Sequence, residues 1–165
     1  MRTEVVDGTT YTTTYRYDAV NRQVSESRTP GAYSLSYGYD AVGNRTTRTL
    51  DGTTYTNVYD DNNKLTSASG GGLTASFGYD SNGNMTSVSG TMYTAKTMVY
   101  NDANRLTSIT YSGVTDTYTY NWQGLRTRAL LSGTYQRYFY DGVRVLEDLN
   151  DSGGTLARYT ITNGT

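Results

Sequence analysis

The chain has no cysteine and no histidine. Disulfides, thiol catalysis and Cys/His zinc sites are excluded, as is every mechanism that needs an imidazole. Secreted proteins also lack cysteine at times, so the redox compartment stays open. Proline occurs once. Leu, Ile, Val and Phe are scarce, and no apolar run approaches the roughly 18 residues of a membrane span. The start, Met1-Arg2-Thr3-Glu4, carries no apolar signal-peptide core. A segment cut from a longer chain would begin in the same way. Neither charge sign dominates: 14 Lys and Arg face 15 Asp and Glu, a net charge of −1. Nucleic acid is a poor partner for such a chain, because a basic stripe is missing.

What is abundant is Tyr and Gly, 18 of each, together with Thr. Few aliphatic residues and many polar ones fit disorder as well as folding. Tyr and Thr are strong strand formers, however, and Tyr buries a large ring while keeping a polar tip. A strict internal repeat decides for folding. Tyr39-Asp40-Ala41-Val42-Gly43-Asn44-Arg45-Thr46 recurs in variants opened by Tyr17, Tyr59, Tyr79, Tyr100, Tyr120 and Tyr140. The steps between these tyrosines are 22, 20, 20, 21, 20 and 20 residues, and a degenerate eighth, Tyr159, follows 19 residues later.

Two forms alternate. Tyr17, Tyr59 and Tyr100 open a shorter form that closes on Asn and a basic residue. Tyr39, Tyr79 and Tyr120 open a longer form that reads as having a glycine inserted. The unit is then about 40 residues, built of two unlike halves.

The residues leading into each motif alternate with period two. Tyr11, Thr13, Tyr15 and Tyr17 share one face, as do Tyr33, Leu35, Tyr37 and Tyr39, and Leu73, Ala75, Phe77 and Tyr79. That pattern predicts strands with one buried face, and no window carries a helical period. The motif supplies turn chemistry, since Asp, Asn and Gly bond their own backbone or tolerate positive φ. Second strands are predicted over 22–28, 45–50, 64–69, 85–89, 105–111 and 126–132. They end at Asp51-Gly52, Ser89-Gly90, Ser112-Gly113 and Ser132-Gly133, with Pro30-Gly31 and Gly70-Gly71-Gly72 in the same role. The fold class is all-β, serial hairpins of about 20 residues in one antiparallel meander of roughly 16 strands. So wide a sheet should curl into a spiral, shell or solenoid-like form.

Each motif residue has a structural task. Tyr17, Tyr39, Tyr59, Tyr79, Tyr100, Tyr120 and Tyr140 are placed to form a ladder of stacked rings. Asp18, Asp40, Asp60, Asp80, Asn101, Asn121 and Asp141 are placed to cap the turns. Arg22, Arg45, Lys64, Arg105, Arg126 and Arg144 are placed to pair with an Asp of their own or a neighbouring rung and so help set register.

The motif Tyr-Asp-x-x-Gly-Asn-Arg-Thr, alternating with Tyr-Asp-x-x-Asn-Arg-Leu-Thr, resembles the YD repeats of Rhs (rearrangement hotspot) proteins. Teneurins and the C components of Tc toxins also carry these repeats. The resemblance runs from Tyr15 to about Tyr159, so residues 1–165 read as one YD-repeat array of about eight repeats, a segment of a longer protein or a polymer subunit. Tyr140-Asp141-Gly142 with Glu147-Asp148 and Leu156-Ala157-Arg158-Tyr159 resembles the last repeats before the family's core segment, which is missing here along with its autoproteolytic aspartates. The resemblance implies a spiral β-sheet shell, a toxic cargo enclosed by it, and an extracellular or cell-surface location on a bacterium.

Functional readings compete with that structural one. Asp60-Asp61-Asn62-Asn63 and Asp80-Ser81-Asn82-Gly83-Asn84 are rich in oxygen ligands but lack the spacing and closing Glu of a calcium loop. Exposed Tyr and Trp122 are candidates for stacking on surface glycans, against their use as core. Glu4, Glu26 and Glu147 are too scattered for a carboxylate pair. The expectation is therefore a non-enzymatic structural module with no metal site, catalytic residue or cofactor. Asn44-Arg45-Thr46, Asn84-Met85-Thr86 and Asn163-Gly164-Thr165 match the glycosylation sequon, by coincidence with the repeat. Uncapped edges raise a further possibility, head-to-tail pairing of identical chains into a filament or homopolymer.

Overall fold

The computed structural model describes residues 2–31 and 33–159. The chain is all-β, with 16 strands that stand in the sheet in chain order. Packing divides it into two units, Met1–Phe77 with Gly90–Tyr93, and Gly78–Ser89 with Thr94–Thr165.

The first unit holds β1 (Arg2–Val6), β2 (Thr9–Tyr17), β3 (Gln23–Thr29), β4 (Tyr33–Tyr39), β5 (Arg45–Leu50), β6 (Thr53–Tyr59), β7 (Leu65–Gly70) and most of β8 (Leu73–Tyr79). Each strand from β1 to β7 pairs antiparallel with the next. The alternation of Tyr11, Thr13 and Tyr15, or of Tyr33, Leu35 and Tyr37, falls on the better-covered face, with Thr14, Ser34 and Ser36 exposed between. The core is thin: Leu35, Ala68 and Ala75 are the buried apolar side chains, and Ala68 pairs in register with Ala75. Tyrosine rings beside them do the covering that a second layer does in a sandwich.

The second unit holds β9 (Met85–Gly90), β10 (Lys96–Tyr100), β11 (Leu106–Tyr111), β12 (Val114–Tyr120), β13 (Arg126–Leu131), β14 (Thr134–Asp141), β15 (Arg144–Asn150) and β16 (Thr155–Arg158). These too pair antiparallel in sequence. Ala129 is 1% exposed, between Tyr118 and Gln136 in register. Asp116 is buried and fully engaged. Its Oδ1 accepts the Ser132 N–H at 2.7 Å and its Oδ2 the Tyr111 hydroxyl at 3.0 Å.

One end of the strands is closed by tight two-residue turns. At Asp7-Gly8, Asp51-Gly52, Ser112-Gly113 and Ser132-Gly133 both residues have positive φ, for example 47° and 83° at Asp51-Gly52. That is the primed geometry whose twist matches paired strands. The turn expected at Ser89-Gly90 is different. Gly90 ends β9, and Thr91 and Met92 both donate their N–H to the Thr74 carbonyl, at 2.8 and 2.9 Å. The Tyr93 ring then meets Phe77 with centroids 6.1 Å apart. Five residues, 91–95, separate β9 from β10, too many for a two-residue turn.

The other end carries the motif loops, and a bulge precedes the motif at six places. Register shifts at Arg16/Tyr17, Gly38/Tyr39, Val58/Tyr59, Val99/Tyr100, Thr119/Tyr120 and Phe139/Tyr140. The extra residue on the returning strand is often the motif threonine. Thr66, Thr107 and Thr127 donate their hydroxyls to the carbonyls of Val58, Val99 and Thr119, at 3.1, 3.1 and 3.3 Å. A bulge disrupts the ladder locally, and the threonine hydroxyl serves the carbonyl it leaves there.

Candidate functional site

The motif loops are the places where polar side chains converge. In six of them the first residue, Asp18, Asp40, Asp60, Asp80, Asn101 or Asn121, closes a five-residue loop. Its N–H donates to the carbonyl of the fifth residue, and the fourth residue's N–H donates to its carbonyl. Its side-chain oxygen accepts the fifth residue's N–H, as from Arg22 at 2.9 Å, Asn44 at 2.8 Å and Lys64 at 2.8 Å. Sequence capping roles and loop geometry meet at these six positions.

The two forms of the motif share this one loop. The fourth residue has positive φ in all of them: Asn21, Asn63 and Asn104 near 60°, and Gly43, Gly83 and Gly124 at 101°, 86° and 85°. The glycine of the longer form therefore replaces an asparagine and is not an insertion. The difference lies in the fifth position, which holds Arg22, Lys64 and Arg105 in one form and Asn44, Asn84 and Leu125 in the other. In the long form the basic residue moves one place on, into the strand, as at Arg45 and Arg126.

The seventh motif departs from the rest. Asp141 stays in β14 and pairs in register with Arg144, leaving only Gly142 and Val143 between them. Two residues cannot make the five-residue loop, so Asp141 caps nothing there and Arg144 opens β15. The loop geometry reappears at Asn150, whose N–H donates to the Gly154 carbonyl and whose Oδ1 accepts the Gly154 N–H, both at 2.8 Å. Its signal in the sequence is Asn150-Asp151-Ser152-Gly153-Gly154, missed because no tyrosine precedes it.

Successive loops bond to one another. Arg22 donates Nε to Asp18 Oδ2 at 2.7 Å and Nη1 to the Asp40 carbonyl at 3.2 Å. Asn44 donates Nδ2 to Asp40 Oδ2 at 2.9 Å and to Asn63 Oδ1 at 2.8 Å. Asn84 does the same with Asp80 Oδ2 and Asn104 Oδ1, both at 2.9 Å. These bonds hold the aspartates in the charged form. The Asp18 carboxyl is lowered by the Arg22 N–H first and its guanidinium second; Asp40 and Asp80 are lowered first by the side-chain amides of Asn44 and Asn84. Asn44 and Asn84 are also the sequon asparagines, and their amides are spent within the loops. Asn163 lies outside the described residues.

The motif tyrosines reach across to the preceding loop. Tyr39, Tyr59, Tyr120 and Tyr140 donate their hydroxyls to the carbonyls of Gln23, Arg45, Leu106 and Arg126, at 2.8, 3.2, 2.8 and 2.7 Å. Each acceptor is the first strand residue after the previous loop. A guanidinium covers several rings: Arg22 over Tyr39 at 4.7 Å, Arg105 over Tyr120 at 5.3 Å, and Arg126 over Tyr138 at 4.7 Å. A guanidinium over a ring face adds a cation–π attraction to the packing. Burial pushes the Tyr140 hydroxyl pKa up. Among the basic positions, Arg22 and Lys64 pair with the Asp of their own loop, at 2.7 and 3.8 Å.

The three glutamates are likewise held by partners. Glu4 meets Arg28 at 2.7 Å and Arg2 at 3.4 Å, and Glu147 meets Arg158 at 2.9 Å and the Thr155 hydroxyl at 2.8 Å. Glu26 accepts from Gln23 at 3.2 Å. Among the described residues no group of three or more Asp, Glu, His or Cys is placed to hold a metal. A groove of about 490 Å³ opens beside Asn121, Gln123, Arg137 and Phe139, but Arg137 is already bonded to Asp151 at 3.0 Å. Trp122 stands on its loop 90% exposed.

The RHS Repeat family model matches residues 59–91. The fold is similar to that of two solved Tc toxin structures, TcdB2-TccC3-Cdc42 and TcdB2-TccC3. The TM-scores are 0.70 and 0.69, at 14% and 15% identity, over 96% and 93% of this chain. The chain spans about 10% of the length of those structures, and at such identity the likeness is one of fold. No curated protein matches the sequence. The motif of the matched segment recurs on both sides of residues 59–91 in one loop geometry, so the likeness to the Rhs (YD) repeat extends beyond those residues.

Proposed function

We propose that the chain is a non-enzymatic wall module, one continuous stretch of an Rhs-type β-shell with flanking repeats of the same kind as its partners. The supporting observation is that motif loops bond to the loop that follows, the first to the second through Arg22 to Asp40, the second to the third through Asn44 to Asn63, and the fourth to the fifth through Asn84 to Asn104. The Arg22, Asn44 and Asn84 side chains, polar groups that a binding site would present to a ligand, are here spent on the neighbouring rung. Such an array gains stability from each added neighbour and needs no partner of other chemistry. The shell reading carries with it an enclosed toxic cargo and a place outside, or on the surface of, a bacterial cell.

A second reading has its own support. Among the described residues, strands β1 and β16 each have one partner, β2 and β15. Edge-to-edge addition of identical chains would give a self-assembling filament. Light scattering across concentration, with negative-stain electron microscopy, separates the two. A wall module stays at the mass of one chain, 18.2 kDa. Long uniform filaments would replace the wall reading by the second.

A further inference from the structure

The fourth motif loop carries a pair that the other five-residue motif loops do not, Asn82-Gly83. An Asn-Gly pair is prone to self-modification, because glycine has no side chain to shield its backbone nitrogen from the amide carbon before it. Both residues are exposed, and a Cβ on Gly83 would meet nothing within 4 Å. Space for the five-membered ring of that reaction is therefore present. The loop nevertheless holds both reacting ends. The Gly83 N–H, which carries the attacking nitrogen, donates to the Asp80 carbonyl at 3.0 Å. The Asn82 side-chain nitrogen, which would leave, donates to Asn104 Oδ1 at 3.0 Å. This second bond reaches into the next loop. It has no counterpart in the second loop, where Val42 stands in the place of Asn82. All of these residues of the fourth and fifth loops lie in the second unit.

We infer that Asn82 is a site of spontaneous deamidation, and that Asn104 in the neighbouring loop is its brake. The Gly83 nitrogen gives up its proton to solvent base and bonds to Asn82 Cγ. The Cγ–Nδ2 bond breaks, ammonia leaves, and a succinimide closes. Water then opens the ring at either carbonyl, leaving aspartate or its β-linked isomer at position 82. One water enters and one ammonia departs, and no oxidant or metal is needed. A near-attack geometry requires both ends to turn toward each other, so the step waits for the loop to open. The product then keeps the rungs apart. A carboxylate at position 82 faces Asn104 Oδ1, an acceptor, where a donor stood before, and adds a negative charge beside Asp80. Of the two amides that Asn104 Oδ1 accepts, only that of Asn84 remains. A chain whose fourth and fifth loops stay joined keeps its amide, and a chain whose loops have parted is marked by a charge at the opening.

The test uses the full chain with Asn163→Gln, which leaves Asn82-Gly83 as its one Asn-Gly pair. The folded chain, and the same chain unfolded in urea, are held in mildly alkaline buffer. Isoelectric focusing follows the charge-shifted product, and peptide mapping locates it. Product is expected at position 82, and at least about tenfold more slowly in the folded chain, the effect of two held ends. Asn104→Gly keeps the positive-φ turn and removes the acceptor. It should speed the folded chain about fivefold, the worth of one net hydrogen bond. Asn44→Ala removes the corresponding bond between the second and third loops, and should leave the rate at position 82 unchanged. That control separates loss of the Asn104 bond from a general loss of stability. Equal rates in the folded and unfolded chain, or equal acceleration by Asn104→Gly and Asn44→Ala, overturn the inference. So does product that maps elsewhere, or none at position 82 in the Asn104→Gly chain.

Discussion

The side-chain amide of Asn44 donates to Asn63 Oδ1 at 2.8 Å, and so joins a long-form loop to the short-form loop that follows it. Asn63 has a φ of 61°, a conformation that asparagine and glycine tolerate and other residues resist. One residue thus serves both its own turn and the rung before it. Asn63→Gly keeps the turn and removes the acceptor. We expect Asn44→Ala and Asn63→Gly to show a coupling of about 0.5–1 kcal/mol in a double-mutant cycle read by urea unfolding. Asn63→Ala should cost about 1 kcal/mol more than Asn63→Gly, through backbone strain.

Gly70 sits where no side chain fits. A Cβ there would lie 2.6 Å from the Thr54 carbonyl oxygen and 2.6 Å from Cδ1 of Tyr55. Gly52 also has positive φ, but has open space around it. Gly70→Ala is expected to destabilise by about 3 kcal/mol or more, and Gly52→Ala by about 1 kcal/mol. Equal costs in thermal or urea melts would show that the close approach at Gly70 is not felt.

Asp116 is the lone acid on the covered face of β12, and it serves two donors, the Ser132 N–H and the Tyr111 hydroxyl. Asp116→Ala leaves both without a partner in a buried place. A loss of about 1–3 kcal/mol is expected. Asp116→Asn, which keeps an acceptor oxygen, should lose less. Unfolding midpoints of the two variants against the parent chain decide the matter.

Asp18, Asp40 and Asp80 have carboxyl pKa values lowered by the bonds of their loops. A folded value below the unfolded one gives stability that is full above the unfolded pKa of about 3.9. It is lost as pH falls through the folded values. Stability should therefore hold from neutral pH down to about 4 and decline below it. Asp40→Asn removes one titrating cap while keeping an acceptor, as Asn101 already does in its own loop. That variant should show a shallower acid slope in denaturant unfolding followed from pH 7 to 2.

Much of this architecture was legible in one dimension. Period-two tyrosines gave strands, Asp51-Gly52 and Ser112-Gly113 gave tight turns, and the 20-residue step gave serial hairpins with caps at Asp18, Asp40, Asp60, Asp80, Asn101 and Asn121. These are local signals, because a strand face and an Asx-capped turn depend on residues within a few places of each other. The exceptions were local too. Asp141 is followed by too few residues to close a loop, and Asn150 makes the loop without the tyrosine that marks the others.

The contacts between rungs were not legible, since they join residues 14 to 22 apart through the register of two intervening strands. Spacing alone cannot show that Asn44 finds Asn63, that the Tyr39 hydroxyl finds the Gln23 carbonyl, or that the Arg22 guanidinium covers the Tyr39 ring. Nor can it show that the motif threonine answers a carbonyl left by a bulge. The sequence by itself determined the repeat, the strand faces and the chemistry of each turn, because those follow from short-range sterics and hydrogen bonding. Only the tertiary structure decided which loop groups meet: once the strands have paired, the Asn44 and Asn84 amides reach a side-chain oxygen of the next loop, whereas the longer Arg22 side chain reaches a backbone carbonyl.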